Sequence, residues 1–565
     1  IALTPEIKSL LGLDVDKAPP NDIIRAILRT PVELFWLGGI GTYFKATDEE
    51  DWQVGDRGND GVRINAADAG AKVIGEGANL GLTQDARIEF ARAGGRINTD
   101  AIDNSAGVDS SDHEVNIKIL LSSVIERGEL QADERNDLLS RMTDDVSRHV
   151  LVHNYEQTRA LSQREATAAD DLDSHTRLMA ALERVGRLDR QVENLPDAEQ
   201  LTALRTAGQG MTRPEISILL AYAKNWLFEE LLASDAPDDN ALESELVSYF
   251  PETLHQYREA IAGHRLRREI IATRLANEIV DTCGPSFPFR AADATGARLS
   301  EIALAYEAAR RVLNLGAFAN AVDALDNKIG AAAQIKLYNA ASTLLREQMY
   351  RIASDARTMA ILETRGISGI VEDYAADISG LKAALPTMLP AQQAENLRRR
   401  AALWRDSGAP EEIADEAALM PSLELAFDVV NLAKDADCPV GLASAVFFTI
   451  GDALCIDAAR NASRTATRAD YYEKIAMRRL TEDLAIRQAS LALNAIRFIG
   501  ASPEGDAGPD ALETQFAAWR ASDEIGFSRF DRFITELEIG GGVSVAKMSL
   551  LNRKLFDLDE RLRAK

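Results

Sequence analysis

The sequence predicts an α/β region followed by a large all-α helical region, mostly α overall, and three observations predict it. From about residue 30 to 110 short apolar runs alternate with glycine turns, as in "VELFWLGGIGTYF", "AKVIGEGANLGLT" and "GGRINTDAIDNSAG". Strands followed by short helices give that texture, with the strands in a parallel sheet. Beyond about residue 111 nearly every apolar residue recurs at helical period, which assigns roughly 400 residues to helices. The breakers "CGPSFPF", "DSGAPEE" and "GASPEGDAGPD" then cut this stretch into blocks without a fixed-period repeat, which argues against a regular solenoid.

In chain order, the run ending at Leu37 and the run Ala71 to Ile74 are the expected strands, each followed by glycines. Thr83 can cap the next helix, with Asp85 in its first turn and Gly94-Gly95 ending it. In "AIDNSAGVDSSDHEVNIKILL", residues 101 to 121, Ser111 precedes Glu114 by three positions, the spacing of a capping box, so a helix is expected to begin there. A sharper reading is an anion site, because a helix N-terminus offers free N–H donors and partial positive charge. Further on, Thr212, Pro214 and Glu215 open a helix by a second capping box. Ile271, Leu275 and Ile279 form one stripe of a helix that stops at Gly284.

A chain of 565 residues is too long for one core and is expected to form several domains. With 63 basic against 89 acidic residues its formal net charge is −26, which repels a phosphate backbone and makes nucleic acid an unsuitable partner. No apolar run has the length needed to span a bilayer; the longest, "GLASAVFFTIG" at 441 to 451, suits a buried helix. The opening "IALTPEIKSLLGLDVDK" reads as neither a signal peptide nor an anchor. Cys283, Cys438 and Cys455 are too few and too dispersed for a disulfide framework, which fits a reducing, cytoplasmic setting.

His149 and His153 lie four apart on one helical face but lack the intervening glutamate of metalloproteases. They are read as surface or packed histidines, and no metal is expected. The basic cluster "HRLRRE" at 264 to 269 is read as ion-paired, and Trp36, Trp226 and Phe228 as core or interface aromatics.

"GEGANLG" at 75 to 81 approaches the dinucleotide fingerprint G-x-G-x-x-G, but its third glycine comes one residue late, and Glu76 would place a carboxylate where pyrophosphate should lie. It fits better as a turn at the carboxyl end of a strand, where ligands of open α/β sheets bind and Gly77 permits close backbone approach. Asn79 offers a donor and an acceptor suited to a ribose hydroxyl or a carboxamide; equally, it can stabilise its own turn. "LGGIGTY" at 37 to 43 supports the same two readings, a flat ligand against glycine backbone or a tight turn.

Taken together, "GGIGTYFKA", "KVIGEGANLGLTQDARIEFARAGGRINTDAIDNSAGVDSSDHEVNIKILL", "TRPEISILLAYAK" and "HRLRREIIATRLANEIVD" resemble the large bacterial NAD-dependent glutamate dehydrogenases. The block at 72 to 121 also resembles, more distantly, the small glutamate dehydrogenases, whose pattern is EGAN followed by N-A-G-G-V-x-x-S before a helix. That resemblance implies NAD as cofactor, with Gly38, Gly39, Gly77, Ala78 and Asn79 on the cofactor side and Asn79 at the nicotinamide end. It implies that Asn104 and Gly107 line the junction of cofactor and substrate, and that Val108 and Ser111 form the pocket for the glutamate side-chain carboxylate. Related dehydrogenases for leucine or phenylalanine carry an apolar residue at the Ser111 position. A hydroxyl there favours glutamate, since a buried carboxylate needs donors. On this reading Ser111 both starts its helix and faces the cleft.

The resemblance further implies that residues 1–125 are the C-terminal part of a Rossmann-like NAD-binding catalytic domain, an incomplete one. Residues 126–170 would be a helical connection back to that core, 171–405 a helical domain and 406–565 a C-terminal helical domain. The family's catalytic lysine and aspartate and its glycine fingerprint are expected upstream of residue 1, so no catalytic residue is assigned here. The chain is expected to be the C-terminal portion of a longer enzyme and inactive alone, its missing N-terminal part being a partner. With that part it would convert L-glutamate and NAD to 2-oxoglutarate, ammonium and NADH, as a homo-oligomer. The choice of NAD over NADP rests on the resemblance alone. The competing expectation is a helical oligomerisation or regulatory module without a catalytic role of its own.

Overall fold

The computed structural model describes residues 1–465, 471–500, 509–539 and 542–564. The chain divides into two compact units, Ile1–Leu304 and Ala305–Lys565.

In the first unit β1 (Val32–Leu37), β2 (Phe44–Lys45), β3 (Ile64–Asn65) and β4 (Ala71–Glu76) form two parallel pairs. β1 lies beside β4 with Leu37 opposite Glu76, and β2 lies beside β3 with Phe44 opposite Ile64. Their apolar side chains share a core in which Leu28, Leu37, Phe44, Ile64, Ile74, Leu82, Phe90 and Ile97 are buried. The expected parallel pairing is present, but it stays at two strands per sheet. The third glycine-bounded run, 94 to 107, forms no strand. Gly94 turns the chain at φ 95°, Arg96 makes a single bridge to Val73, and Thr99 already begins the Asp100–Asp103 helix.

Helices follow from there on among the described residues. Thr83 caps the Gln84–Arg92 helix, its hydroxyl accepting from the Ala86 N–H at 3.1 Å. Thr212 opens the Arg213–Leu232 helix with a capping box in which Glu215 accepts the Thr212 N–H at 2.6 Å. The Arg267–Cys283 helix ends at Gly284 with Ile271, Leu275 and Ile279 buried. The basic cluster is ion-paired, with Arg267 and Arg268 both meeting Asp238. Trp226 is half-buried and stacks on Phe289 with ring centroids 4.3 Å apart.

The second unit is helical throughout its described residues. Its apolar run at 441 to 451 lies in the Val440–Ala453 helix, where Phe447, Phe448 and Ile450 are buried. Gln488, from the Tyr471–Ile499 helix, donates to the Phe447 carbonyl at 2.8 Å. The "DSGAPEE" turn, expected at a domain boundary, joins the Ala391–Asp406 and Glu411–Leu423 helices. Those helices are fastened together by Arg405–Asp415 at 2.8 Å and by Arg400 Nε donating to the Ala418 carbonyl at 2.9 Å, so the boundary expected at 405/406 falls inside one unit. The "GASPEGDAGPD" breaker lies largely outside the described residues. No single helix among the described residues is long and apolar enough to cross a membrane.

Candidate functional site

Parallel pairing places the ends of β1 and β4 side by side, so the glycine turns that follow them emerge together. Gly38-Gly39 leaves β1 and Gly77-Ala78-Asn79 leaves β4, joined by the Ala78 N–H donating to the Leu37 carbonyl at 3.1 Å. Trp36 forms the floor. A Cβ on Gly75 or Gly77 would come within 2.6 or 2.5 Å of its indole, so both positions are glycine because the ring lies across the end of β4. The ring is 58% exposed. Of the two places expected for Trp36, core or interface, its exposure excludes the core, since the small residues beneath it leave it supported on one side only. A Cβ at Gly39 would meet nothing within 4 Å, and Ile40 beyond it is exposed.

The loop after β4 is held from beneath by charge. Glu76 is fully buried beneath that loop. It accepts from the Gly81 N–H at 2.9 Å, the Leu82 N–H at 3.2 Å and the Arg87 guanidinium at 2.7 and 2.9 Å. The carboxylate feared in the pyrophosphate position is thus withdrawn into an ion pair. Burial pushes the Glu76 carboxyl above its ordinary range against the pull of Arg87, and burial likewise raises Asp103. Asp103 accepts the Glu76 N–H at 2.9 Å. Leu80, at the exposed tip, sits in the left-handed region at φ 59°, a conformation a leucine keeps only when its surroundings fix it. Here Asp100 accepts its N–H at 2.9 Å and the Thr42 hydroxyl donates to its carbonyl at 2.8 Å.

Asn79 does not merely brace its own turn: its side-chain oxygen accepts from the Asn104 amide. Asn104 stands between the Asp100–Asp103 and Ser105–Glu126 helices. The long helix therefore begins six residues before Ser111, and the expected capping box at Ser111 is not formed. The start is fixed by tertiary contacts. Ser105 accepts from Asn154 at 3.0 Å and from Gln157 at 3.4 Å, both on the Thr143–Glu165 helix. Ser111 lies in the second turn, exposed, with its hydroxyl on the Gly107 carbonyl at 3.3 Å, and Glu114 pairs with Lys118.

Asn104, Gly107, Val108 and Ser111 follow the i, i+3, i+4, i+7 stripe of one helical face, and Val108 is 69% exposed. The structure thus brings Gly38 and Gly39 beside Gly77, Ala78 and Asn79, and joins Asn79 to Asn104. Gly107, Val108 and Ser111 continue along the helix without a hydrogen-bonding partner on the strand ends among the described residues. Sequence reasoning missed the Trp36 floor and the Glu76–Arg87, Asp100 and Asp103 supports. The eleven-residue separation of Glu76 and Arg87 carries no local signal, although a carboxylate inside a glycine turn is itself a hint of a buried partner.

This is a mostly helical protein whose first unit holds a small parallel α/β element with open, glycine-lined strand ends. Residues 208–557, more than half of the chain, match the family described as "Glutamate dehydrogenase, C-terminal", and residues 1–164 match "Bacterial NAD-glutamate dehydrogenase, catalytic domain". The chain belongs to the glutamate dehydrogenase family, in the branch of the large bacterial NAD-glutamate dehydrogenases. It is 35% identical over 562 residues to the NAD-specific glutamate dehydrogenase of Halomonas elongata, covering 99% of this chain and 34% of that protein. The protein of the same description from Pseudomonas aeruginosa is 34% identical with the same coverage. The one from Mycobacterium tuberculosis is 34% identical over 569 residues, covering 98% of this chain and 34% of that protein. The chain spans about a third of the length of the curated relatives it matches.

Proposed function

We propose that this chain supplies one wall of the cofactor and substrate cleft of an NAD-dependent glutamate dehydrogenase, in which L-glutamate, NAD and water give 2-oxoglutarate, ammonium and NADH. The observation that carries the reading is the meeting of two glycine turns at the ends of adjacent parallel strands with Asn79 tied to Asn104. Residues 1–125 are on this reading the C-terminal part of a Rossmann-like domain, whose ligands bind outside the carboxyl ends of parallel strands.

The residues present suit a dinucleotide. The space at Gly39 is open, the backbone at Gly38 and Gly77 is exposed, and the Asn79 amide adds a donor for a carboxamide or ribose oxygen. These residues would hold NAD, which would supply the hydride acceptor of the reaction. Asn104 fixes the orientation of the Asn79 amide, Gly107 leaves room for close approach, and Val108 offers an apolar wall to the substrate methylenes. The Ser111 hydroxyl has only a 3.3 Å bond to the Gly107 carbonyl, so turning to a substrate carboxylate sacrifices little.

The two glycine turns and Asn104 all belong to the first unit, which supports assigning the chemistry there and assembly or regulation to the helical second one. Three cysteines without a disulfide accord with a cytoplasmic enzyme.

The test is NADH formation from L-glutamate by the natural protein that contains this chain, beside its Ser111→Ala variant. Loss of a hydrogen bond to a charged group predicts a rise in KM for glutamate of about 10- to 100-fold with a smaller change in kcat. A folded, NAD-binding protein without glutamate-dependent NADH formation would sink the substrate; an unchanged KM would remove Ser111 from the pocket.

A further inference from the structure

The Ser105–Glu126 helix has a second stripe, turned away from Val108 and Ser111, on which Asp109, His113 and Asn116 stand four and three residues apart. The Thr143–Glu165 helix packs against it and brings up His149 and His153. The Asp109 carboxylate lies between two imidazoles, Oδ2 2.8 Å from His153 Nδ1 and Oδ1 3.8 Å from His113 Nε2. One ligand atom from each of Asp109, His113 and His153 lies within 4.8 Å of the other two. His113 is fully buried and stacked on Tyr249, with ring centroids 4.4 Å apart, yet neither of its ring nitrogens has a hydrogen-bond partner. An imidazole is a donor on one nitrogen and an acceptor on the other, and a buried ring with both unused is the exception that calls for a reason.

We propose that Asp109, His113 and His153 bind a divalent transition ion of the zinc class, which clamps the back of the Ser105–Glu126 helix to the Thr143–Glu165 helix. Two imidazole nitrogens and one carboxylate oxygen are the donors zinc accepts, whereas calcium and magnesium take oxygen. Ligand distances of about 2.0–2.2 Å around a tetrahedral ion set donor atoms roughly 3.3–3.6 Å apart, so the 3.8 Å separation of Asp109 and His113 would close slightly and the 2.8 Å Asp109–His153 contact would open to admit the ion. Support around the site is in place. The Asn116 amide donates to the Tyr249 hydroxyl at 2.8 Å, holding the ring against His113, and the Tyr249 backbone hydrogen-bonds His149. Arg274, whose charge is felt at His113, is paired with Glu245 at 3.1 Å, and Asp112 beside Asp109 adds negative charge. Because these residues occupy the face opposite the Val108–Ser111 stripe, the ion's role is structural, and the site stands whether or not the glutamate reading does.

The test uses the natural protein that contains this chain, stripped with a chelator and titrated with zinc chloride alone by calorimetry, and with cobalt as a spectroscopic probe. One ion per chain is expected, with a rise in melting temperature on adding zinc and visible cobalt absorption of nitrogen and oxygen ligation. His153 is partly exposed, so His153→Gln leaves the His113–Tyr249 stack intact. It and Asp109→Asn should each weaken zinc binding about 100-fold or more and abolish the cobalt spectrum, with far-UV circular dichroism unchanged. Absence of zinc binding by the unaltered chain, or an affinity and cobalt spectrum that persist in both variants, would overturn the proposal.

Discussion

The Ser105–Glu126 helix turns one face to an open shelf and the other to a closed interior, and the two faces are built by different means. On the open side Gly107, Val108 and Ser111 are exposed, as are Trp36, Ile40 and Leu80 around the strand ends. On the closed side His113, Ile117, Leu120, Leu121 and Val124 are buried. The open face therefore cannot draw its shape from side-chain packing. It draws it from beneath, through the Glu76–Arg87 pair and the carboxylates of Asp100 and Asp103, while the closed face depends on hydrophobic burial.

The largest effect should come from removing the shelf's charged support. Glu76→Ala leaves the Arg87 guanidinium buried without its main partner and two backbone N–H groups unpaired, a cost of about 3–5 kcal/mol. Urea unfolding of the chain followed by tryptophan fluorescence should show a matching fall in midpoint, and NAD titration a weaker affinity. An unchanged midpoint would mean that the loop at 76–82 is held some other way. Next in size is a paired experiment on the two faces. Leu121→Ala removes a fully buried side chain and should cost about 2–5 kcal/mol. Val108→Ala, on the same helix, should stay within about 0.5 kcal/mol in stability while raising KM for glutamate. Equal destabilisation by the two would erase the distinction between the faces.

What the sequence revealed follows the same division. Thr83, the Thr212–Glu215 box and the Gly284 stop are legible because each uses a bond within a few residues. The glycine turns at 38–39 and 77–79 are legible because strand ends and turn chemistry are local too. The start of the Ser105–Glu126 helix was not. Small and polar residues from Ser105 to Ser111 suggest a turn, but Asn154 and Gln157 reach Ser105 from some fifty residues away and override local preference. Between core and interface, the position of Trp36 was not legible for the complementary reason, since nothing in its own run says that Gly75 and Gly77 lie beneath it. The conjunction of Asp109 and His113 with His153 needed the packing of two helices, which no spacing along one chain segment encodes. The texture of residues 30 to 110 suggests a parallel sheet, and the strands among the described residues form two parallel pairs.

The effect smallest at any single pH step concerns protonation, at most about 1.4 kcal/mol per pH unit, and it sharpens the contrast because the shelf residues include no histidine. His175, in the Ala168–Arg184 helix, is buried, and burial pulls its pKa down to about 4 against the opposing field of Asp171. In the unfolded chain the same imidazole titrates near its ordinary value of about 6.5. As pH falls below that value the unfolded chain takes up a proton that the folded chain refuses until about pH 4. Between those limits the unfolded state binds more protons, so stability falls as pH falls, and below the lower limit the loss is complete. One group can contribute a slope of at most about 1.4 kcal/mol per pH unit, roughly 3 kcal/mol over the whole window. Replacing the ring by an uncharged amide removes this component. The deficit of His175→Gln relative to the unaltered chain should therefore shrink between pH 6.5 and pH 4 in thermal unfolding, while Val108→Ala and Ser111→Ala keep the unaltered slope. A His175→Gln curve parallel to that of the unaltered chain would mean that the imidazole accepts its proton in the folded state and that this part of the interior is open to water.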